Sequence, residues 1–245
     1  MQEAAPILVW TMGKVGTTTV SRALACAGIP ALHMHSIRPK AQAAAEAQKG
    51  LTPPHVKAAR EALEFIESGA GTVKIISMVR DPVARNISAF FENMHLHGIS
   101  HELPTEELIG VFQQTYNHDI PLRWFDLELK AGIGFDIFRE GFDRASRLSR
   151  YAKDRFELLI FRSDAELDLQ QREVSNFVGA PVELTMENAA DSKPYRAAYK
   201  DFNRALSLPK AYVERMYASE FARVFWTREE LEEMSLKYLG EISVE

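Results

Sequence analysis

Short apolar runs alternate with amphipathic stretches over the first hundred residues of the chain. The apolar runs are rich in β-branched residues and short, which is typical of buried strands, whereas the stretches between them repeat apolar residues at helical spacing. Strands that alternate with helices in this way predict a parallel sheet, whose ligands gather at the carboxyl ends of the strands. The predicted order is strand 7–11, helix 17–27, strand 30–34, helices 38–49 and 53–67, strand 73–79 and helix 82–97.

Beyond residue 97 the pattern is mostly helical. Helices are predicted over 105–116 and 120–130, and one more strand over 156–161. Capping-box patterns at Ser163–Glu166 and Thr227–Glu230 predict the starts of two later helices. The sequence therefore indicates an α/β fold with a central parallel sheet and a helical C-terminal half.

Composition narrows the class of protein. The 245 residues are 46% apolar and 26% charged, without a break that would mark a linker, so we expect a single domain over residues 1–245. The single cysteine, Cys26, occupies an apolar position of the first helix and is expected to be buried. The first apolar run is too short for a signal peptide or a membrane span, which favours a cytoplasmic protein. A net charge of −5 disfavours nucleic acid as a partner.

The junction between the first strand and the first helix carries the clearest candidate chemistry. In PILVWTMGKVGTTTVS, starting at Pro6, an apolar strand leads into a lysine between two glycines, Gly13 and Gly16. A helix start has unpaired N–H groups and a positive dipole, so it binds anions. The predicted phosphate cradle comprises Lys14, Val15, Gly16, Thr17, Thr18 and Thr19.

The order of residues in this loop separates it from a nucleoside-triphosphate loop. The pattern G-x-x-x-x-G-K-[ST] places lysine after the second glycine, whereas Lys14 precedes Gly16. A plain strand–helix turn with a solvated lysine remains the alternative for this loop.

A second candidate anion site follows the third predicted strand. Arg80 ends that strand, and Ser88 lies about two helical turns into the next helix. These two side chains are suited to a second phosphate, and the alternative is a simple ion pair between Arg80 and Asp81.

TMGKVGTTTVS and MVRDPVARNISAFF together resemble the sulfotransferase superfamily, whose enzymes use 3′-phosphoadenosine 5′-phosphosulfate (PAPS). The resemblance implies a P-loop-like three-layer fold in which Lys14, Gly16, Thr17 and Thr18 bind the 5′-phosphosulfate. It also implies that Arg80 and Ser88 bind the 3′-phosphate.

Three further segments resemble a bacterial branch of capsular polysaccharide synthesis proteins: RDPVARNISAFFEN, WFDLELKAGIGFDIF and FELLIFRSDAEL. This resemblance extends from Ile7 to about Thr227. The Asn-Lys-Trp-Tyr-Ser signature of the branch is present only in part, around Lys193, because Pro194 and Arg196 depart from it. The implied layout is a PAPS-binding core over 6–97 and 156–200, a helical acceptor-side region over 98–155 and C-terminal helices over 201–245.

A histidine at the end of the second strand is the expected general base. His33 and His35 share one strand face, and His35 is nearer the carboxyl end. The resemblance agrees, because related enzymes place a histidine or glutamate between the two cofactor motifs; a histidine with a merely structural hydrogen bond is the alternative. Reserve candidates are Glu92, His97 and Asp119.

The resemblance also nominates Lys193, in a polar segment that could cover the nucleotide, as a contact of the 3′-phosphate. No metal is expected, because a sulfuryl group carries less negative charge than a phosphoryl group. Gly98 and Ser100 also interrupt any ligand face formed by His95, His97 and His101.

The expected function is that of a PAPS-dependent sulfotransferase, with adenosine 3′,5′-bisphosphate as the product and the hydroxyl of a saccharide or small molecule as the acceptor. The alternatives are a nucleoside-triphosphate-dependent kinase and a nucleotide-binding protein without catalysis. The sequence leaves the acceptor and the oligomeric state open.

Overall fold

A computed structural model describes residues 5–185 and 193–239 of the chain, which form a mixed α/β structure around a five-stranded sheet. Internal contacts divide the chain into two units. The first unit comprises the described residues up to Arg80 together with those from Trp124 to residue 185. The second comprises Asp81–Arg123 and residues 193–239.

The sheet belongs entirely to the first unit. Its strands are β1 (Ile7–Trp10), β2 (Ala31–Met34), β3 (Val73–Val79), β4 (Leu148–Lys153) and β5 (Phe156–Arg162). Their order across the sheet is β2-β1-β3-β5-β4. The contacts of β1 with β2 and β3, and of β3 with β5, are parallel, as predicted. Strand β4 was not predicted, and it pairs with β5 in the antiparallel direction, so the expectation of a helical region up to residue 155 is wrong at this point.

Helices pack against the sheet in the first unit and make up most of the second. Their predicted positions agree with the structure to within a few residues at the first four helices. In chain order the helices are α1 (Thr17–Cys26), α2 (Pro39–Lys49), α3 (Pro54–Glu67), α4 (Pro82–Asn93), α5 (Thr105–Thr115), α6 (Ile120–Phe125), α7 (Ala131–Ile133), α8 (Ile137–Glu140), α9 (Leu167–Val178), α10 (Arg196–Ala205), α11 (Lys210–Tyr217), α12 (Glu220–Phe225) and α13 (Arg228–Leu239).

The stretch predicted as one helix over 120–130 contains a change of helix type. After α6, Asp126–Lys130 forms a π-helix, which continues into α7. A π-helix has a wider turn than an α-helix and is rare, and it occurs often at functional sites.

The second unit has its own aromatic core. Phe90 and Phe91 of α4, Phe112 of α5 and Phe202 of α10 are buried together, with ring centroids 5.1 to 6.2 Å apart for the pairs in contact. Phe90 and Phe91, adjacent on α4, therefore both belong to the core of this unit.

Two smaller expectations are wrong. Cys26, expected to be buried, is exposed at the last position of α1. Ser163 does not cap a helix, because α9 begins only at Leu167, and the carboxylate of Asp164 binds the guanidinium of Arg162. The other capping box is confirmed: Glu230 N–H donates to Thr227 Oγ1 (3.2 Å) and Thr227 N–H to Glu230 Oε2 (2.8 Å).

Candidate functional site

The loop between β1 and α1 turns sharply at the carboxyl edge of the sheet. Gly13, Lys14 and Gly16 have φ values of 76°, 62° and 97°. A left-handed conformation is natural for glycine but uncommon for a residue with a side chain, so Lys14 is held in a strained backbone. Strain of this kind is typical of functional loops.

The first turn of α1 has no side-chain cap. Its N-cap residue, Gly16, is left-handed and has no side chain that could accept from the first amides, while the N–H of Thr19 donates to the Gly16 carbonyl (3.2 Å). Thr18 is exposed beside them and Thr19 is half-buried. This arrangement suits an anion bound by backbone amides.

A hydrogen bond between two buried threonines joins the two ends of the loop. The hydroxyls of Thr11 and Thr17 are 2.8 Å apart and share a hydrogen bond, and Gly13 N–H donates to Thr11 Oγ1 (3.3 Å). Thr17, predicted as an anion ligand, thus directs its hydroxyl to Thr11. Sequence reasoning did not single out Thr11, which joins the beginning of the loop to the start of the helix.

Arg80 reaches the same loop. It follows β3, and its Nη1 donates a hydrogen bond to the carbonyl oxygen of Lys14 (3.2 Å). The carboxylate of Asp81, its suggested alternative partner, caps α4 by accepting from the N–H groups of Val83 and Ala84. The structure therefore brings Arg80 and Lys14 together within the first unit.

His35 lies against the glycine of this loop. Its Nδ1 is 3.0 Å from the carbonyl oxygen of Thr11, and because a carbonyl can only accept, Nδ1 carries the proton of this bond. In the neutral ring, Nε2 is then the basic nitrogen. A Cβ atom at Gly13 would lie 3.4 Å from the ring, so the glycine allows the imidazole to approach closely.

Two other imidazoles surround His35. The ring centroids of His33 and His55 lie 4.8 and 5.0 Å from that of His35. Burial lowers the pKa of His33, and His55 lowers it further; burial also lowers the pKa of His55, with a contribution from Lys49. Both rings are therefore neutral at pH 7. Among the described residues, the buried Nε2 of His33 has no hydrogen-bond partner.

The remaining predicted site residues belong to the second unit. Ser88 is half-buried on α4. Lys193 forms an ion pair with Glu92 (Nζ to Oε1, 3.1 Å), and the hydroxyl of Tyr195 donates to Oε2 of the same carboxylate (2.7 Å). The charge of Lys193 is thus shared with Glu92, one of the reserve bases. The assignment of Ser88 and Lys193 to the phosphate site stays a prediction.

The other reserve bases have different surroundings. Asp119 forms an ion pair with Arg215 (3.1 Å), and His97 is exposed at the end of the 3-10 turn Met94–His97. In residues 5–185 and 193–239, no group of three or more histidine, cysteine or carboxylate side chains is arranged to hold a metal ion. None of the helices described in those ranges combines the length and apolarity that a membrane crossing requires.

Comparison with known proteins assigns the chain to a family. No curated protein and no solved structure matches the chain. The family model described as "Putative capsular polysaccharide synthesis protein" matches residues 102–227, a little over half of the chain. The match begins after the β1–α1 loop and Arg80, and it includes β4, β5 and the π-helix. By this match the chain belongs to the family of capsular polysaccharide synthesis proteins.

Proposed function

We propose that this protein is a PAPS-dependent sulfotransferase that transfers a sulfuryl group to a hydroxyl of a saccharide or small metabolite. The observation that carries the proposal is the strained Gly13–Lys14 loop at an uncapped helix start, with the His35 ring hydrogen-bonded onto it. The family description supports a saccharide as the acceptor. The net charge of −5 favours a lightly charged acceptor over a strongly anionic polymer.

The reaction breaks the bond between sulfur and the bridging oxygen of the 5′-phosphate and forms a bond between sulfur and the acceptor oxygen. Charge accumulates on the bridging oxygen as this bond breaks. Lys14 and the amides at the start of α1 would stabilise that charge, because donors already fixed in place need no rearrangement in the transition state. The second product is adenosine 3′,5′-bisphosphate.

His35 would accept the proton of the acceptor hydroxyl at Nε2. The bond from Nδ1 to the Thr11 carbonyl fixes the tautomer that this step requires. General-base assistance of this kind contributes about 10²- to 10⁴-fold in rate. Arg80, with Ser88 as the expected second ligand, would bind the 3′-phosphate.

Ligand-dependent thermal stability tests the proposal first. A ligand that binds only the folded state raises the melting temperature, so adenosine 3′,5′-bisphosphate should stabilise the protein more than adenosine 5′-monophosphate or ATP with magnesium. Stabilisation only by ATP with magnesium would indicate a kinase and overturn the proposal. Stabilisation by the bisphosphate without transfer from radiolabelled PAPS to any of a panel of saccharides would favour a binding protein.

Variants divide the roles of the site residues. Lys14→Ala should reduce transfer severely, and Arg80→Ala and Ser88→Ala should weaken the stabilisation by the bisphosphate. Lys57→Ala, which removes the same charge from an exposed position of α3, is the matched control for Lys14→Ala and should change neither property. His35→Ala should retain the bisphosphate effect and lose transfer; full activity in this variant would show that His35 is not the base.

A further inference from the structure

One helical segment contacts the chain immediately after β2 at three positions spaced four residues apart. Trp124 Nε1 donates to the carbonyl oxygen of His35 (2.9 Å), and Glu128 binds residues 36–38. Gly132 packs so closely that a Cβ there would lie 2.6 Å from Cδ1 of Ile37. The π-helix Asp126–Lys130 lies in the middle of this series.

Glu128 is fully buried, and both of its carboxylate oxygens are occupied. Oε1 accepts from Ser36 Oγ (2.6 Å) and from Arg38 Nε (2.7 Å), and Oε2 accepts from the backbone N–H of Ile37 (2.9 Å). Removing a carboxylate from water is costly, and an apolar side chain would fill the same space at less cost. A carboxylate, unlike an apolar side chain, fixes the orientation of the chain that it binds. Three donors from three consecutive residues must each reach one of two oxygens at fixed positions.

The backbone that Glu128 fixes is the continuation of His35. This residue is held on one side through its ring, by the carbonyl of Thr11, and on the other through its own carbonyl, by Trp124. A hydrogen bond to the ring does not by itself fix the backbone that carries the ring. The Trp124 and Glu128 contacts fix that backbone at His35 and at residues 36–38.

We propose that Trp124 and Glu128 are positioning residues that hold the His35 imidazole against the Gly13–Lys14 loop in the orientation required for proton transfer. The proposal rests on the proposed function for its catalytic consequence, but its geometric content is independent of any activity. Both residues lie inside the range that matches the family model, whereas the loop and His35 lie outside it.

Nuclear magnetic resonance of the histidine side chains tests the geometry directly in the full chain. In the unchanged protein, His35 should show a single tautomer, protonated at Nδ1, with a slowly exchanging Nδ1 proton. Glu128→Gln, which replaces one acceptor oxygen with a donor, should give mixed tautomers and faster exchange. Trp124→Phe removes the indole donor, keeps an aromatic ring and should act in the same direction. His35 signals identical to those of the unchanged protein in both variants would overturn the proposal.

Kinetics separate positioning from stability. With PAPS saturating, both variants should lower kcat by about 10- to 100-fold, because displacement of a catalytic group by ~1 Å has effects of this order. The KM for PAPS and the stabilisation by adenosine 3′,5′-bisphosphate should be unchanged, and the pH dependence of kcat should shift. A loss of melting temperature with kcat per folded molecule retained would show a merely structural role.

Controls keep the two proposals distinguishable. Glu166→Gln and Trp226→Phe make the same chemical changes at the N-cap of α9 and in the buried core of the second unit, and neither should alter the His35 signals. If Glu128→Gln does not fold, Ser36→Ala, which removes one of the three donors, gives the same readout in a milder form. If the unchanged protein neither binds the bisphosphate nor transfers sulfate, the proposed function fails, and the His35 signals still decide the positioning proposal.

Discussion

At the scale of single residues, the β1–α1 loop shows how a strained backbone and a close approach serve the same site. Gly13 combines both features, since its φ is 76° and the His35 ring lies 3.4 Å from where its Cβ would be. Lys14 shares the left-handed conformation although it has a side chain. The geometry of these two residues therefore sets the distance between the candidate base and the candidate anion ligand.

Gly13→Ala should lose stability and site function together. A Cβ in left-handed backbone costs about 1–2 kcal/mol of folding free energy. The added carbon would also lie 3.4 Å from the imidazole, at the tight limit of van der Waals contact, so sulfuryl transfer should fall while the stabilisation by adenosine 3′,5′-bisphosphate is retained, as in His35→Ala. Chemical denaturation and transfer from radiolabelled PAPS measure the two effects.

Gly69→Ala is the matched control for this prediction. Its φ is 70°, and a Cβ there would meet nothing within 4 Å. We expect a similar loss of folding free energy with sulfuryl transfer intact. An equal loss of transfer in both variants would mean that stability alone, and not the contact with His35, determines the activity.

Site residues could be predicted where the signal lies in the local sequence, and less well where it lies in distant partners. The β1–α1 loop and His35 were each predicted from a short segment of sequence, and the structure places them together. Glu128 gave no such signal, because an acidic residue on a helix is usually solvated. Its burial depends on donors from residues 36–38, about ninety positions away.

At the scale of secondary-structure elements, buried strands could be predicted from the sequence and the exposed edge strand could not. Strand β3 has the bounds that were predicted, 73–79, because neighbours on both sides of the sheet require a continuous apolar run. Strand β4 has only one neighbouring strand, and its sequence, LSRYAK, is largely half-buried or exposed. Such an edge strand needs no apolar run, so the pattern did not reveal it.

Helix starts show the same dependence on context. Both capping-box patterns satisfy the local rule, but only Thr227–Glu230 forms the box. At Ser163 the carboxylate of Asp164 pairs with the guanidinium of the buried Arg162, the chain makes another turn, and α9 begins only at Leu167, with Glu166 as its N-cap residue.

Thr227→Ala should therefore destabilise the protein, and Ser163→Ala should not. Loss of the N-cap hydroxyl costs about 1 kcal/mol, because the Glu230 amide loses its acceptor. The Ser163 substitution leaves the backbone bond from Ser163 N–H to the Val79 carbonyl intact and should stay within about 0.5 kcal/mol. Equal effects in urea denaturation would contradict the assignment of the two caps.

At the scale of the whole molecule, the chain leaves the sheet unit after Arg80 and returns to it at Trp124. The sequence predicted one domain because no linker interrupts its composition, and this stays a prediction. The two units have different cores, one built on the sheet and the other on aromatic residues between helices. Composition alone does not reveal such a division, since both cores use the same apolar residue types.

Buried ionisable groups predict how folding depends on pH. The lowered pKa values of His33 and His55 mean that the unfolded chain binds protons more readily than the folded one below about pH 6.5. The free energy of unfolding should therefore be larger at pH 7 than at pH 5 and decrease as the pH falls between them. Urea denaturation at a series of pH values measures this decrease.

Asp81 requires a control, because its effect has the opposite sign. Burial raises the pKa of this carboxyl, so the folded chain binds its proton more tightly than the unfolded one. His33→Gln and His55→Gln leave Asp81 unchanged and should reduce the loss between pH 7 and pH 5. Substitution of the exposed His95 with Gln should not. An unaltered pH dependence in the first two variants would assign the loss to other groups.

The exposed position of Cys26 provides a single site for attaching a spectroscopic label. It is the single thiol of the sequence, so a fluorophore or spin label attached by thiol chemistry would modify one known atom without any substitution. Cys26 ends α1, whose first residue, Thr17, follows the β1–α1 loop and lies about 14 Å away along the helix axis. A label there is close enough to sense a change at the loop and far enough to leave its amides uncovered.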